Sequence, residues 1–273
     1  MSQQKIDIFV VKRYSLRMIA NDSTYAVPDK PAKTLVESIF WGIRADILSC
    51  RFPPGGKLRI EELRASYGVS GGPVREALCR LTAQGFVVAE GQRGFRVADA
   101  VTSELIDITK NRIWIEAMAL RSSFVHGRTE WEGQLIAADH CLRAEQIKRD
   151  REPLQEPSDE WEKAHRAFHF ALISACGSPQ LIHHRGQLID MAERYRRLAC
   201  RQLSRVPGRG GRASDHAALT GAALSRDAKQ AVAIIENHFI GSASAAIEAI
   251  LGDDADVAQL IATLRKDVQA GLN

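Results

Sequence analysis

Apolar residues recur along most of this chain with helical spacing. From Thr34 to Ser49, Leu35, Ile39, Ile43 and Ile47 stand four apart, which predicts a helix with one buried stripe. The run Arg51-Phe52-Pro53-Pro54-Gly55-Gly56 then forces a turn. Ile60, Leu63 and Tyr67 mark a short amphipathic helix that Gly68 stops. Val74, Leu78 and Leu81 mark a second, with Gly72 and Pro73 suited to its N-cap and first helical position. Two β-rich runs, Phe86-Val87-Val88 and Phe95-Arg96-Val97, flank Glu90-Gly91-Gln92-Arg93-Gly94 and read as a small hairpin. Three helices and a two-stranded wing make a winged helix-turn-helix over residues 32–98. Residues 1–31 lack clean periodicity, contain Pro28 and end in Pro31, and predict a mobile arm.

Beyond a linker from Ala98 to Ser103 the pattern stays helical. Helices are expected near 103–126, 129–151, 157–176, 178–204, 212–225 and 227–251, with a shorter one near 254–270. The breaks fall at Gly127, Pro153 to Pro157, Gly177-Ser178-Pro179, Pro207 to Gly211, Asp227 and Gly252. The fold class is mainly α: an N-terminal winged helix-turn-helix with a small β-hairpin wing, followed by an all-helical antiparallel bundle over 103–273.

Composition narrows the function. The formal net charge of +4 is unevenly spread. Residues 1–97 hold 15 Lys and Arg against 9 Asp and Glu, a balance of +6, and the remainder balances to −2. A basic first third on a nearly neutral remainder suits a nucleic-acid module joined to a different kind of domain. No apolar run approaches the roughly 18 residues of a membrane span. Ile6 to Val11 is short, and Lys12-Arg13 follows it rather than precedes it, unlike a secretory signal. Five scattered cysteines without a C-x-x-C pair are expected to be reduced thiols of a cytoplasmic protein.

Two groups of residues carry candidate chemistry. Arg75 projects from the first turn of the second short helix, where an arginine can reach guanine O6 and N7 or hold a phosphate; a local ion pair is the alternative. Arg80, Arg93 and Arg96 suit phosphates, and Lys33 is a further cation of that kind. In the bundle, His165 and His169 lie at i and i+4, with Leu172 and Cys176 continuing their face inward. His216 stands above Leu219 and Ala223, and His238 follows Ile234 and Ile235. Four inward histidines on three helices suit a metal ion inside the bundle, or are separate core residues. His126, His140, His183 and His184 are expected at the surface. Arg112 faces inward one turn before Glu116, either toward an anionic ligand or in an internal pair with Glu116.

The motifs Leu58-x4-Leu63, Gly68-Val69-Ser70, Pro73-Val74-Arg75-Glu76-Ala77-Leu78 and Arg93-Gly94-Phe95-Arg96-Val97 resemble the N-terminal signature of the GntR family of bacterial transcription regulators. The second part resembles the all-helical ligand-binding domain, FCD, of that family's FadR branch. Arg112-x3-Glu116-Ala117-Met118, His165-Arg166-Ala167-Phe168-His169, Cys176-Gly177-Ser178 and Ala192-Glu193-Arg194-Tyr195-Arg196-Arg197 carry this likeness. Within the branch it is similar to the carbon-starvation-induced regulators. The resemblance implies DNA contacts at Ser70, Arg75 and Gly94, with Gly71 and Gly72 standing where Arg and Thr are common and Glu61 at a position often basic. It implies a divalent ion such as zinc or nickel on His165, His169, His216 and His238, with His165 in place of the usual Asp. It places an effector near Arg112, with Arg197 as a second candidate, and suggests a small organic acid, for instance a dicarboxylate such as glutarate. A homodimer on double-stranded operator DNA is expected, because one recognition helix covers only a half-site. The alternative is a metal-dependent hydrolytic enzyme fused to a DNA-binding module.

Overall fold

The computed structural model describes residues 34–151, 158–203, 213–251 and 256–272. The expected arm 1–31, Lys33, and the expected breaks at Pro153 to Pro157, Pro207 to Gly211 and Gly252 lie outside them.

Helix α1 (Leu35–Leu48) starts at Thr34, whose side chain accepts a hydrogen bond from the Glu37 N–H at 3.2 Å. Ile39, Ile43 and Ile47 are buried, but Leu35, in the first turn, lies beyond the core and is 55% exposed. Strand β1 (Lys57–Leu58) precedes α2 (Ile60–Tyr67). Gly68 ends α2 in the left-handed region, φ 65°, where a Cβ would be strained. Helix α3 (Gly71–Ala83) begins two residues earlier than the Gly-Pro pair suggested: Ser70 is the N-cap and Pro73 sits inside the first turn. That position is still free of a backbone hydrogen-bond donor requirement, so Pro73 costs the helix nothing there. Strands β2 (Val87–Ala89) and β3 (Phe95–Val97) pair antiparallel. The wing is not a lone hairpin. β1 adds to it, giving the order β1-β3-β2 with Leu58 opposite Phe95. Two residues of β1 carry too little pattern to show in the sequence. Val74, Leu78, Leu81, Phe86 and Val97 close this domain's own core with the helix α1 isoleucines.

Among the described residues the remainder is helical: α4 (Thr102–His126), α5 (Thr129–Arg151), α6 (Asp159–Ile173), α7 (Pro179–Leu203), α8 (Ala213–Leu224), α9 (Ala228–Leu251) and α10 (Val257–Leu272). α6 is capped by Ser158, which accepts from the Trp161 N–H at 3.1 Å. One core gathers Ile113, Leu120, Leu135, Phe168, Leu172 and Ile235. A second lies where α4, α7 and α9 meet, around Leu105, Ile108, Tyr195 and Ile247. Beside it Arg194 donates to the carbonyls of Gly85 at 3.4 Å and Asp99 at 3.0 Å, tying α7 to the end of the winged domain. Tyr195 bonds Glu104 at the same place, and burial together with that bond raises its hydroxyl to about 12. The described free cysteines are Cys50, Cys79, Cys141 and Cys176.

Candidate metal centre and nucleic-acid interface

The 3.6-residue period of α6 puts His165 and His169 on one face, and their Nε2 atoms stand 3.2 Å apart. His216 comes from the first turn of α8 and His238 from the middle of α9, beside Phe239. The four rings converge, with centroid separations from 4.6 to 6.1 Å. One potential ligand atom from each lies within 4.8 Å of all the others. Zinc–nitrogen bonds of ~2.0–2.1 Å separate tetrahedral ligand nitrogens by ~3.3–3.4 Å, close to the His165–His169 spacing.

The environment keeps three of these imidazoles, His165, His169 and His216, neutral. Burial pushes His165 well below its ordinary range, and Arg196 and the neighbouring histidines push it further. Burial and the same histidine neighbours do so for His169. His216 is lowered to about 3, again by burial first and by His238 second. A neutral imidazole keeps the lone pair that a metal needs. His238 turns its Nδ1 to Asp215 Oδ2 at 3.2 Å, the carboxylate support typical of a ligating histidine. His216 Nε2 is buried with no hydrogen-bond partner among the described residues. An orphaned nitrogen inside a ring of three other imidazoles fits a cation. Trp161 lies flat against His165, centroids 4.7 Å apart and planes 13° apart. His126, His140, His183 and His184 are exposed, as the sequence suggests: the first two stand alone, and the adjacent pair points apart.

A cavity opens beside the histidines. His165, His169 and His238 line one part; Leu105, Ile189, Ala192, Ala243 and Ala246 supply an apolar wall. Arg112 also lines it. The sequence left open a pair between Arg112 and Glu116, but Glu116 is held instead by Arg185, whose Nε donates at 2.7 Å. Arg112 lies over the Phe239 ring at 3.9 Å, and its buried Nε has no hydrogen-bond partner among the described residues. Burial lowers it to about 9, with Glu116 acting against the shift. It remains a cation at neutral pH.

Arg197 does not reach this cavity. It donates to Glu193 at 3.0 Å and Asp159 at 3.2 Å, so the expected second effector arginine is a structural ion pair. Burial would depress Arg197, yet Glu193 and Glu162 hold its charge in place. The cavity takes its neighbour Arg196 instead, together with Arg166, Glu193 and Thr109. Arg196 is bonded through both terminal nitrogens to Glu162. Sequence reasoning missed these because three arginines in four positions of α7 look alike; which one faces in depends on how α7 is rotated against α6.

On the winged domain, Ser70, Gly72, Arg75, Arg80 and Arg93 are exposed, and Gly94 is partly so. Among the described residues a Cβ at Gly72 would meet nothing within 4 Å, and the Ser70 side chain makes no capping hydrogen bond to α3. The first-turn N–H groups thus face outward beside Arg75. Arg80 rests over the Phe40 ring at 4.7 Å. Arg96 differs from the expectation of a phosphate contact: it bonds Glu90 and Asp99, each at 2.8 Å, and braces the wing. The strand register decides this, since it brings those two carboxylates to either side of residue 96.

Residues 35–97 match the model of "Bacterial regulatory proteins, gntR family", and 107–241 match that of the FCD domain. The HTH-type transcriptional regulator BphR of Paraburkholderia xenovorans (strain LB400) is 38% identical over 218 residues, covering 80% of this chain and 87% of that protein. The HTH-type transcriptional repressor GlaR of Escherichia coli (strain K12) is 34% identical over 208 residues, covering 76% and 93%. A GntR regulator structure from Rhodococcus sp. RHA1 superposes with a TM-score of 0.61 at 17% identity, covering 78% of this chain and 97% of that one. Escherichia coli McbR/YncC gives 0.57 at 18%, covering 88% and 99%. These structural matches speak to the fold alone. Among the described residues no helix is long and apolar enough to cross a membrane. With a DNA-reading first domain, an effector domain behind it and regulators rather than enzymes as relatives, the chain belongs to the GntR family of bacterial transcription regulators, with an FCD effector-binding domain.

Proposed function

We propose that the helical domain holds a divalent metal on His165, His169, His216 and His238, and that a small carboxylic acid binds beside it to modulate operator binding. The observation that carries this is Arg112: its guanidinium faces the cavity the histidines share, and its buried Nε has no hydrogen-bond partner among the described residues. A buried cation left this way is costly unless an anion completes it. Imidazole ligands carry no negative charge and so leave a metal's positive charge uncompensated, and the metal, when bound, adds attraction for a carboxylate. Arg112 orients that carboxylate, Phe239 fixes the guanidinium plane, and the alanine wall of α9 takes the acid's carbon chain. Zinc or nickel suits the all-nitrogen ligand set. On the resemblance to carbon-starvation-induced regulators, glutarate is the first acid to test.

The test is calorimetry with glutarate and related dicarboxylates on zinc-loaded protein, on chelator-treated protein, and on Arg112→Ala. A hydrogen bond to a charged group contributes roughly 1.5–3 kcal/mol, so Arg112→Ala is expected to weaken the acid about 10- to 150-fold. Binding undiminished by both changes would place the effector elsewhere.

The DNA-reading surface is Ser70, Gly72, Arg75, Arg80, Arg93 and Gly94, with the chain acting as a cytoplasmic homodimer on a two-half-site operator. Arg75 is the base-reading candidate. Arg75→Ala is expected to weaken a selected operator by about 1–3 kcal/mol and to relax preference at one base pair. A gel-shift titration at fixed salt with unchanged affinity would remove Arg75 from the readout.

A further inference from the structure

The two domains meet through a buried ionic joint, two members of which, Arg166 and Glu193, also line the cavity. Arg44 stands on α1 of the winged domain with only 3% of its side chain exposed. It is clamped between the rings of Trp41 and Phe86, at 5.4 and 5.1 Å. Its Nη2 lies 2.9 Å from Asp190 Oδ1 and 4.0 Å from Glu193 Oε2, both on α7. The same two oxygens are held by Arg166: its Nη2 bonds Asp190 Oδ1 and lies 2.6 Å from Glu193 Oε2. Arg166 belongs to α6, between His165 and His169, and lines the cavity. One arginine from each domain thus shares one pair of carboxylate oxygens.

The sharing is unequal. Arg166 makes hydrogen bonds to both carboxylates, whereas Arg44 Nε and Nη2 make none among the described residues, despite the short distance to Asp190. Arg44 is therefore held by charge and by its two aromatic neighbours. Burial works against its charge, and Asp190 and Glu193 offset that. Glu193 stays ionised: burial pulls it up, but Arg166, Arg44, Arg196 and Arg197 bring it down to about 2. A carboxylate with two competing guanidiniums has a two-position geometry, and moving one cation changes its hold on the other.

We propose that Asp190 and Glu193 form a joint through which cavity occupancy sets how the DNA-binding domain is held, an anion in the cavity drawing Arg166 inward and leaving Asp190 to Arg44. This rests on the reading of the cavity as an anion site. The coupling runs through one helix, since α7 carries Asp190 and Glu193 on the face packed toward both Arg44 and Arg166. By linkage, whatever the acid does to DNA affinity through this joint, DNA does to acid affinity.

A double-mutant cycle tests the joint without knowledge of the effector. The DNA is a duplex selected by the wild-type protein from a random pool. Arg166→Gln removes the competing cation and is expected to shift the DNA dissociation constant at least fivefold, although residue 166 lies in the bundle. In an Arg44→Met background the same change is expected to do nothing beyond twofold. Methionine keeps much of the volume, and replacing a buried ion pair by an apolar side chain is often tolerated; Asp190→Asn, which must give the same loss of response, serves if Arg44→Met melts below assay temperature. On zinc-loaded protein, Arg44→Met is further expected to bind glutarate within threefold of wild type while its DNA affinity no longer responds to glutarate. Additive effects of the two substitutions, or a full glutarate response in Arg44→Met, would overturn the proposal. A non-additive cycle in a wild-type protein indifferent to glutarate would leave the joint standing and refute the reading of the effector alone.

Discussion

His169→Ala is expected to empty the bundle of metal. His169 is central to the cluster, 2% exposed, with its Nε2 against that of His165. Loss of a mere supporting residue around a metal costs about 10–100-fold in affinity, so loss of a ligand should cost at least ~100-fold. The metal also stabilises the fold by mass action, by about 4 kcal/mol at a concentration of ~1,000 Kd. For a domain of this size that corresponds to a fall of roughly 10 °C in melting temperature. Elemental analysis after chelator-free purification, paired with thermal melts with and without added zinc, measures both. Trp161, stacked on His165, gives a fluorescence readout of the same event. His126→Ala, at an exposed position, should leave metal content and melting temperature unchanged. Wild-type protein free of metal, or His169→Ala with full occupancy, would return the four histidines to ordinary core residues.

Metal-free protein is expected to lose stability steeply in mild acid. In the unfolded chain each histidine takes up a proton near pH 6.5. In the fold, His165 and His169 are held well below that value, and His216 at about 3, by burial first and then by neighbouring cations and imidazoles. Below pH 6.5 the unfolded state thus binds more protons, so stability falls as pH falls and is flat above. Each such imidazole contributes about 1.4 kcal/mol per pH unit at full effect, and the three together approach ~4 kcal/mol per unit. For His216 the loss continues down to about pH 3. Urea midpoints of chelator-treated protein at pH 7.5, 6.5, 5.5 and 5.0 test this. A midpoint constant across that range would mean that the imidazoles are solvated and the cluster is not closed.

Much of this molecule was written in periodicity. Ile39, Ile43 and Ile47 of α1, and Val74, Leu78 and Leu81 of α3, are buried because a 3.6-residue repeat of branched or large aliphatic side chains has one way to leave water. Gly68 stops α2 through its left-handed backbone, a property local to one residue. The spacing of His165 and His169 is equally local: i and i+4 on one helix share a face whatever surrounds them. Helix-face patterns offered His216 and His238 as partners for the pair or as separate core residues, and the family-like motifs favoured the metal.

Tertiary packing decided what no local pattern encodes. That His216 and His238 arrive at the same point follows from the rotation of α8 and α9 against α6. That Arg112 is left without Glu116 follows from Arg185, 69 positions away, taking that carboxylate. The third strand of the wing needed Leu58 to find Phe95 across the domain, with only two residues of pattern to announce it. Arg194, Arg196 and Arg197 are neighbours in sequence, yet one ties the winged domain, one lines the cavity and one braces α6. Adjacent helical positions point about 100° apart, so their fates depend on what packs on each side, and charge alone cannot tell them apart. Arg44 makes the same point across the domain boundary: its sequence marks it as one more cation of a basic module, and only the approach of α7 makes it the buried partner of Asp190.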